Sequence, residues 1–186
     1  FPPTMAFGAI GDERFAYEYG RITALEARAV GVHFLFSPVL DVNSNPANPV
    51  INSRSFGEDP WNVSRKGIAY IRGLQDGGIL CTAKHFPGHG DTELDSHLAL
   101  PRLCHDRARL DALELRPFRA AVGVLPSLMT AHVLFEQLDP RVPATMSHQA
   151  ITELLRQELG FDGAVFSDDL EMKAVSERYS IEEAGV

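Results

Sequence analysis

Four apolar runs limit what this chain can fold into: Val32 to Leu40, Gly78 to Ala83, Ser127 to Ala131 and Ala164 to Ser167. Each is nearly continuous in hydrophobic residues rather than alternating. That pattern marks strands buried on both faces, as in parallel sheets. Segments of helical period lie between them. Phe15, Tyr19, Ile22, Leu25 and Ala29 recur at spacings of three and four, and Ile68, Ile71 and Leu74 do so ahead of Gly77-Gly78. Leu110 and Leu113 lead toward Phe118, Ala121 and Val122, with Pro117 expected to kink or restart that helix. Ile151, Leu154, Leu155 and Leu159 line a helix entered through Ser147 and stopped at Gly160. The alternation of helix and strand predicts right-handed βαβ units around a parallel sheet.

The residues that follow each run sharpen this. The first runs into Asp41, the second into Lys84-His85, the third into His132 and the fourth into Asp168-Asp169. Titratable groups therefore gather at the C-terminal ends of all four strands, the edge where a (β/α) barrel carries its active site. A doubly wound sheet also binds ligands at strand C-termini, but usually through a Gly-rich phosphate turn. Neither G-x-G-x-x-G nor a P-loop occurs here. The expected fold class is α/β: a (β/α)8 TIM barrel of which this chain supplies about four βα units. Ser180-Ile181-Glu182-Glu183 is a capping-box pattern opening one more helix just before the chain ends at Val186. An open half-barrel leaves two unpaired edges, so the chain reads as a barrel cut at both ends.

Composition excludes several function classes. At 45% hydrophobic and 23% charged residues, the chain is globular rather than disordered. Its net charge of −8 and lack of a basic run argue against a nucleic-acid partner. No apolar stretch reaches the length of a membrane span. Two cysteines, Cys81 and Cys104, make no disulfide framework, and Cys81 sits in an expected buried strand. A cytoplasmic location is favoured. A secreted or lipid-anchored one stays open, because the N-terminus reads as a cut.

Chemistry concentrates in Lys84-His85-Phe86-Pro87-Gly88-His89-Gly90-Asp91-Thr92-Glu93-Leu94-Asp95-Ser96-His97, which holds three His, two Asp, one Glu and one Lys. Asp95 and His97 are two apart, so the carboxylate can orient the imidazole and raise its basicity. Asp168 ends a buried strand, where a carboxylate can act as nucleophile. Asp169 is its rival, since neighbouring strand residues face opposite ways. Lys84 and His85 are placed to bind hydroxyls of a polar substrate. Arg54 lies on the long loop after the first strand, and His132 suits either a core or a ligand role. A metal reading draws on His85, His89, Asp91, Asp95 and His97, against which Pro87 and two glycines suggest a mobile loop.

These residues closely resemble the signature of family 3 glycoside hydrolases, in the NagZ-like β-N-acetylglucosaminidase branch. Three further stretches agree in order: Phe36-Ser37-Pro38-Val39-Leu40-Asp41-Val42, Arg54-Ser55-Phe56-Gly57-Glu58-Asp59-Pro60, and Gly160-Phe161-Asp162-Gly163 through Phe166-Ser167-Asp168-Asp169-Leu170. The resemblance implies a partial family 3 catalytic domain over residues 1–186 and a retaining exo-glycosidase for terminal β-linked N-acetylglucosamine. It implies Asp168 as nucleophile, His97 as general acid/base and Asp95 as its partner. Arg54, Lys84, His85 and His132 would contact the sugar, with no metal or cofactor. The implied substrate is an oligosaccharide or muropeptide containing N-acetylglucosamine, as in peptidoglycan recycling. The alternatives are a metal-dependent hydrolase built on the His/Asp cluster and a non-catalytic sugar-binding fragment.

Overall fold

The computed structural model describes residues 1–185. In chain order the elements are α1 (Thr4–Ala9), α2 (Arg14–Ala29), β1 (Phe34–Leu35), α3 (Pro60–Asp76), β2 (Leu80–Phe86), β3 (Arg102–Leu103), α4 (Arg107–Ala112) and α5 (Arg116–Ala121). They continue with β4 (Ser127–Thr130), β5 (Leu134–Phe135), a π-type helix at Gln149–Glu158, β6 (Ala164–Phe166), α6 (Lys173–Ser176) and α7 (Ile181–Ala184).

Several boundaries follow from local chemistry. Asp59 caps α3 by accepting from the Trp61 and Asn62 amides, and Pro60 opens the helix, where its missing N–H costs nothing. Pro117 starts α5 after a break from α4, as expected. Ser180 and Glu183 form the anticipated capping box on α7. Val186, with which the chain closes, lies outside the described residues.

The main sheet has the order β1-β2-β4-β6, every neighbour parallel. The strands thus lie in sequence order with no reversal. A doubly wound sheet has a switch point; a barrel does not. The sheet also curls. A flat sheet would hold β1 and β6 about 14 Å apart across three strand spacings. Yet the rings of Phe34 and Phe166 approach to 5.4 Å, and those of Phe36 and Phe166 to 5.9 Å. This is the architecture of four consecutive βα units of a (β/α)8 barrel.

The opposite face packs on the helices. Cys81, Ala83 and Leu128 meet Ile71, Leu74, Phe118 and Leu155 in one core. Three corrections to the sequence reading concern elements. The first apolar run forms only two strand residues plus a bridge between Val39 and Lys84, because Pro38 interrupts the ladder. The buried face of α2 is the small-residue row Ala16, Gly20 and Ala24, while Phe15 and Leu25 are exposed. A two-stranded sheet, β3 with β5, sits beside the rim and was not anticipated; two-residue strands leave no periodic signal.

Candidate active site

The C-terminal ends of the strands converge on Asp41. Its carboxylate is fully buried. It accepts from His85 Nδ1 at 2.7 Å, from the His89 amide at 2.7 Å and from the His85 amide at 3.2 Å. Burial by itself would raise its pKa. The positive charge and hydrogen bonds supplied by His85 outweigh it and hold the carboxyl below its ordinary value. Because Nδ1–H of His85 is committed to Asp41, Nε2 faces the centre, 3.8 Å from Oδ2 of Asp168. Sequence reasoning placed Asp41 at a strand end but gave it no role. The available signal was that it ends a buried run, as the other candidates do.

Asp168 and Asp169 are separated by their contacts. Asp168 turns toward His85. Asp169 accepts from the Glu171 amide at 2.9 Å and is exposed, so its side chain closes a turn. His132 donates or accepts at both nitrogens within the protein: Nδ1 with Thr145 Oγ1 at 2.8 Å, Nε2 with the Asp169 carbonyl at 3.0 Å. Burial lowers its pKa, so it is a neutral ring. The expected sugar contact through a ring nitrogen therefore finds no free nitrogen; His132 instead fixes the backbone beside Asp168.

Asp95 and His97 form a pair. Asp95 Oδ1 accepts from His97 Nδ1 at 2.6 Å and from the His97 amide at 2.9 Å. The first bond fixes the proton on Nδ1 and leaves Nε2 without a partner among the described residues. His97 is 61% exposed and Asp95 31%. Partial burial acts to raise the pKa of Asp95, but the bonds from His97 bring it below the ordinary value.

Arg54, on the loop after β1, and Lys84, in β2, line one cavity of about 200 Å³ with Phe36, Ser37, Tyr19 and Tyr70. Burial, then the nearby Arg54 charge, lowers the pKa of Lys84, while Asp168 and Asp41 oppose the shift. Asp168 and His97 do not line this cavity.

The stretch between His85 and Asp95, expected as a mobile connection, is enclosed over its first half. Pro87, Gly88, His89 and Gly90 are all buried. Asn48 donates to the His89 carbonyl at 2.9 Å and to Thr92 Oγ1 at 3.2 Å. A Cβ at position 90 would overlap the Val42 carbonyl, so only glycine lets the two loops meet. Two of the five residues in the metal reading are engaged elsewhere in this geometry. His89 spends its nitrogens on Thr92 and Ser96, and Asp91 turns away to His105 Nε2 at 2.7 Å. Asp91, His105 and Glu114 do gather closely, but the guanidinium of Arg109 reaches both carboxylates, at 3.6 Å and 3.1 Å. That cation already answers their charge.

All of residues 1–186 match the family model described as "Glycosyl hydrolase family 3 N terminal domain". The chain belongs to glycoside hydrolase family 3. Among family 3 relatives, β-hexosaminidase A of Pseudoalteromonas piscicida is 39% identical over 97% of this chain and 33% of that protein. A family 3 β-N-acetylglucosaminidase from Paenibacillus sp. superposes with a TM-score of 0.95 at 51% identity, over 97% of this chain and 35% of that one. NagZ from Neisseria gonorrhoeae, solved with N-trifluoroacetyl-D-glucosamine, gives a TM-score of 0.86 at 39% identity, over 92% and 52%. This chain thus spans a third to about half the length of these relatives.

Proposed function

We propose that this chain is part of the catalytic domain of a retaining exo-glycosidase that removes terminal β-linked N-acetylglucosamine. The observation that carries the reading is the Asp95–His97 pair: one imidazole nitrogen is locked by a carboxylate at 2.6 Å and the other is open. In this reading its partner is Asp168, two residues past β6, and the chain that follows Asp168 returns to the arm where the Lys173 amide meets the His97 carbonyl. In the first step a carboxylate oxygen of Asp168 bonds to the anomeric carbon. The glycosidic bond breaks, and Nε2–H of protonated His97 delivers a proton to the leaving oxygen. In the second, water attacks the same carbon, His97 takes its proton and Asp168 departs. Retaining enzymes usually do this with two carboxylates about 5 Å apart; here a histidine borne on its own carboxylate takes the acid's place.

Arg54, Lys84 and His85 would hold the sugar, the two cations reaching hydroxyls from the cavity. Asp41 would keep the His85 ring turned so that Nε2 faces the centre. The relatives' names support N-acetylglucosamine as the sugar removed. Muropeptides and chitin oligomers are the two substrate classes, and turnover of each by the intact protein separates them.

The test compares aryl β-N-acetylglucosaminides with good and poor leaving groups. His97→Ala should cost about 10²- to 10⁴-fold in kcat/KM on the poor leaving group and far less on the good one. Equal losses on both would remove His97 from the acid role. Asp168→Asn should abolish turnover of both while sugar binding persists.

A further inference from the structure

We propose that His89 is a positioning residue for the acid/base arm, acting through Ser96, the residue between Asp95 and His97. This rests on the reading of His97 as the acid. His89 is 1% exposed and Ser96 2%, so neither is placed to meet substrate. The His89 ring is bonded at both nitrogens: Nδ1 with Thr92 Oγ1 at 2.8 Å, Nε2 with Ser96 Oγ at 2.9 Å. Its amide donates to Asp41 at 2.7 Å, the same carboxylate that orients His85. One hydrogen-bonded connection therefore runs from the group facing Asp168 to the serine at the centre of the acid/base arm. Among the described residues the Ser96 hydroxyl has no other partner.

The far side of the arm is held by the chain that follows the nucleophile. The Ser96 carbonyl accepts from the Ala174 amide at 3.3 Å, and the His97 carbonyl from the Lys173 amide at 3.4 Å. These are long bonds to a four-residue helix. The His89 link is shorter and buried, so it carries more of the placement. Burial, helped by the neighbouring His85, pushes the His89 pKa down to about 4. The ring is thus neutral at working pH and can serve Thr92 and Ser96 with one donor and one acceptor. A proton transferred from His97 depends on placement to a fraction of an ångström, and a misplacement of 1 Å costs up to about 10²-fold.

The experiment is kcat/KM in the intact protein, which reports glycosylation alone, on aryl β-N-acetylglucosaminides of good and poor leaving ability. Ser96→Ala should lose about 10- to 100-fold on the poor leaving group and little on the good one. Ser96→Thr and Ser96→Val add the same bulk and differ in the hydroxyl; Thr should retain the activity on poor leaving groups that Val loses. If Val equals Thr, or if Ala loses both substrates alike, the positioning role is overturned. His97→Ala run alongside separates the two ideas. A leaving-group response in His97→Ala but not in the Ser96 variants sinks only this inference; none in His97→Ala sinks the reading beneath it.

Discussion

At the level of single residues, protonation in the site is set by burial for His89 and His132, and for Asp41 by the interaction with His85 that outweighs burial. Asp41, His89 and His132 all have pKa values below their ordinary ones. For each, the unfolded chain binds more protons as pH falls, so the native state loses stability toward acid. For His89 the window runs from about pH 6.5, its unfolded value, down to about 4. The full shift corresponds to about 3 kcal/mol. Denaturant melts between pH 7 and 4 should show this loss, with a shallower pH slope in His89→Gln. An unchanged slope would mean that His89 is not held neutral in the fold. Sequence reasoning named the titrating types here, but not which would be buried: His89 and His97 share one segment, yet one is enclosed and the other open. The difference comes from Asp41, more than 40 residues earlier, which draws the His89 backbone inward.

Among the elements, helix boundaries were well marked, because capping and proline effects are local. Asp59-Pro60 and the Ser180 capping box need no distant partner. How the helices meet is another matter. α2 and α3 pack so closely that a Cβ on Gly73 would overlap the Tyr17 carbonyl. Gly73→Ala offers up to about 1 kcal/mol of helix propensity. Overpacking against a backbone atom costs about 1–3 kcal/mol, so a lower Tm is expected. A raised Tm would show that the helices separate freely. Gly90→Ala meets the Val42 carbonyl in the same way. It should lower activity as well as Tm, because it lies in the loop that carries Asp95 and His97. The large residues that gave α2 its periodicity, Phe15 and Leu25, turned out exposed. Period three-four finds a helix; it does not say which face has a neighbour near enough to demand alanine and glycine.

For the whole molecule, the concave face of the sheet is the open question of stability. Phe36, Leu80 and Val32 are 53%, 55% and 37% exposed on or beside it. Prepared by itself, the segment 1–186 should bind a hydrophobic dye and associate at high concentration. A monodisperse species that binds no dye would show that the sheet closes on itself. The sequence by itself determined the parallel strands, the barrel class, the presence of Lys84, His85 and Asp168 at strand ends, and the Asp95–His97 pair in the loop after the second strand. Hydrophobic runs and strand-end polarity are properties of short stretches. Only the tertiary structure decided that Asp168 rather than Asp169 faces His85. It likewise committed His132 to Asp169, buried the Pro-Gly-His-Gly loop, and joined Asp41, His89 and Ser96 behind the Asp95–His97 pair. Each of those choices is a contact between segments far apart in the chain. Such contacts depend on how the sheet curls and which carbonyl or carboxylate arrives within hydrogen-bond reach, and no local pattern encodes that.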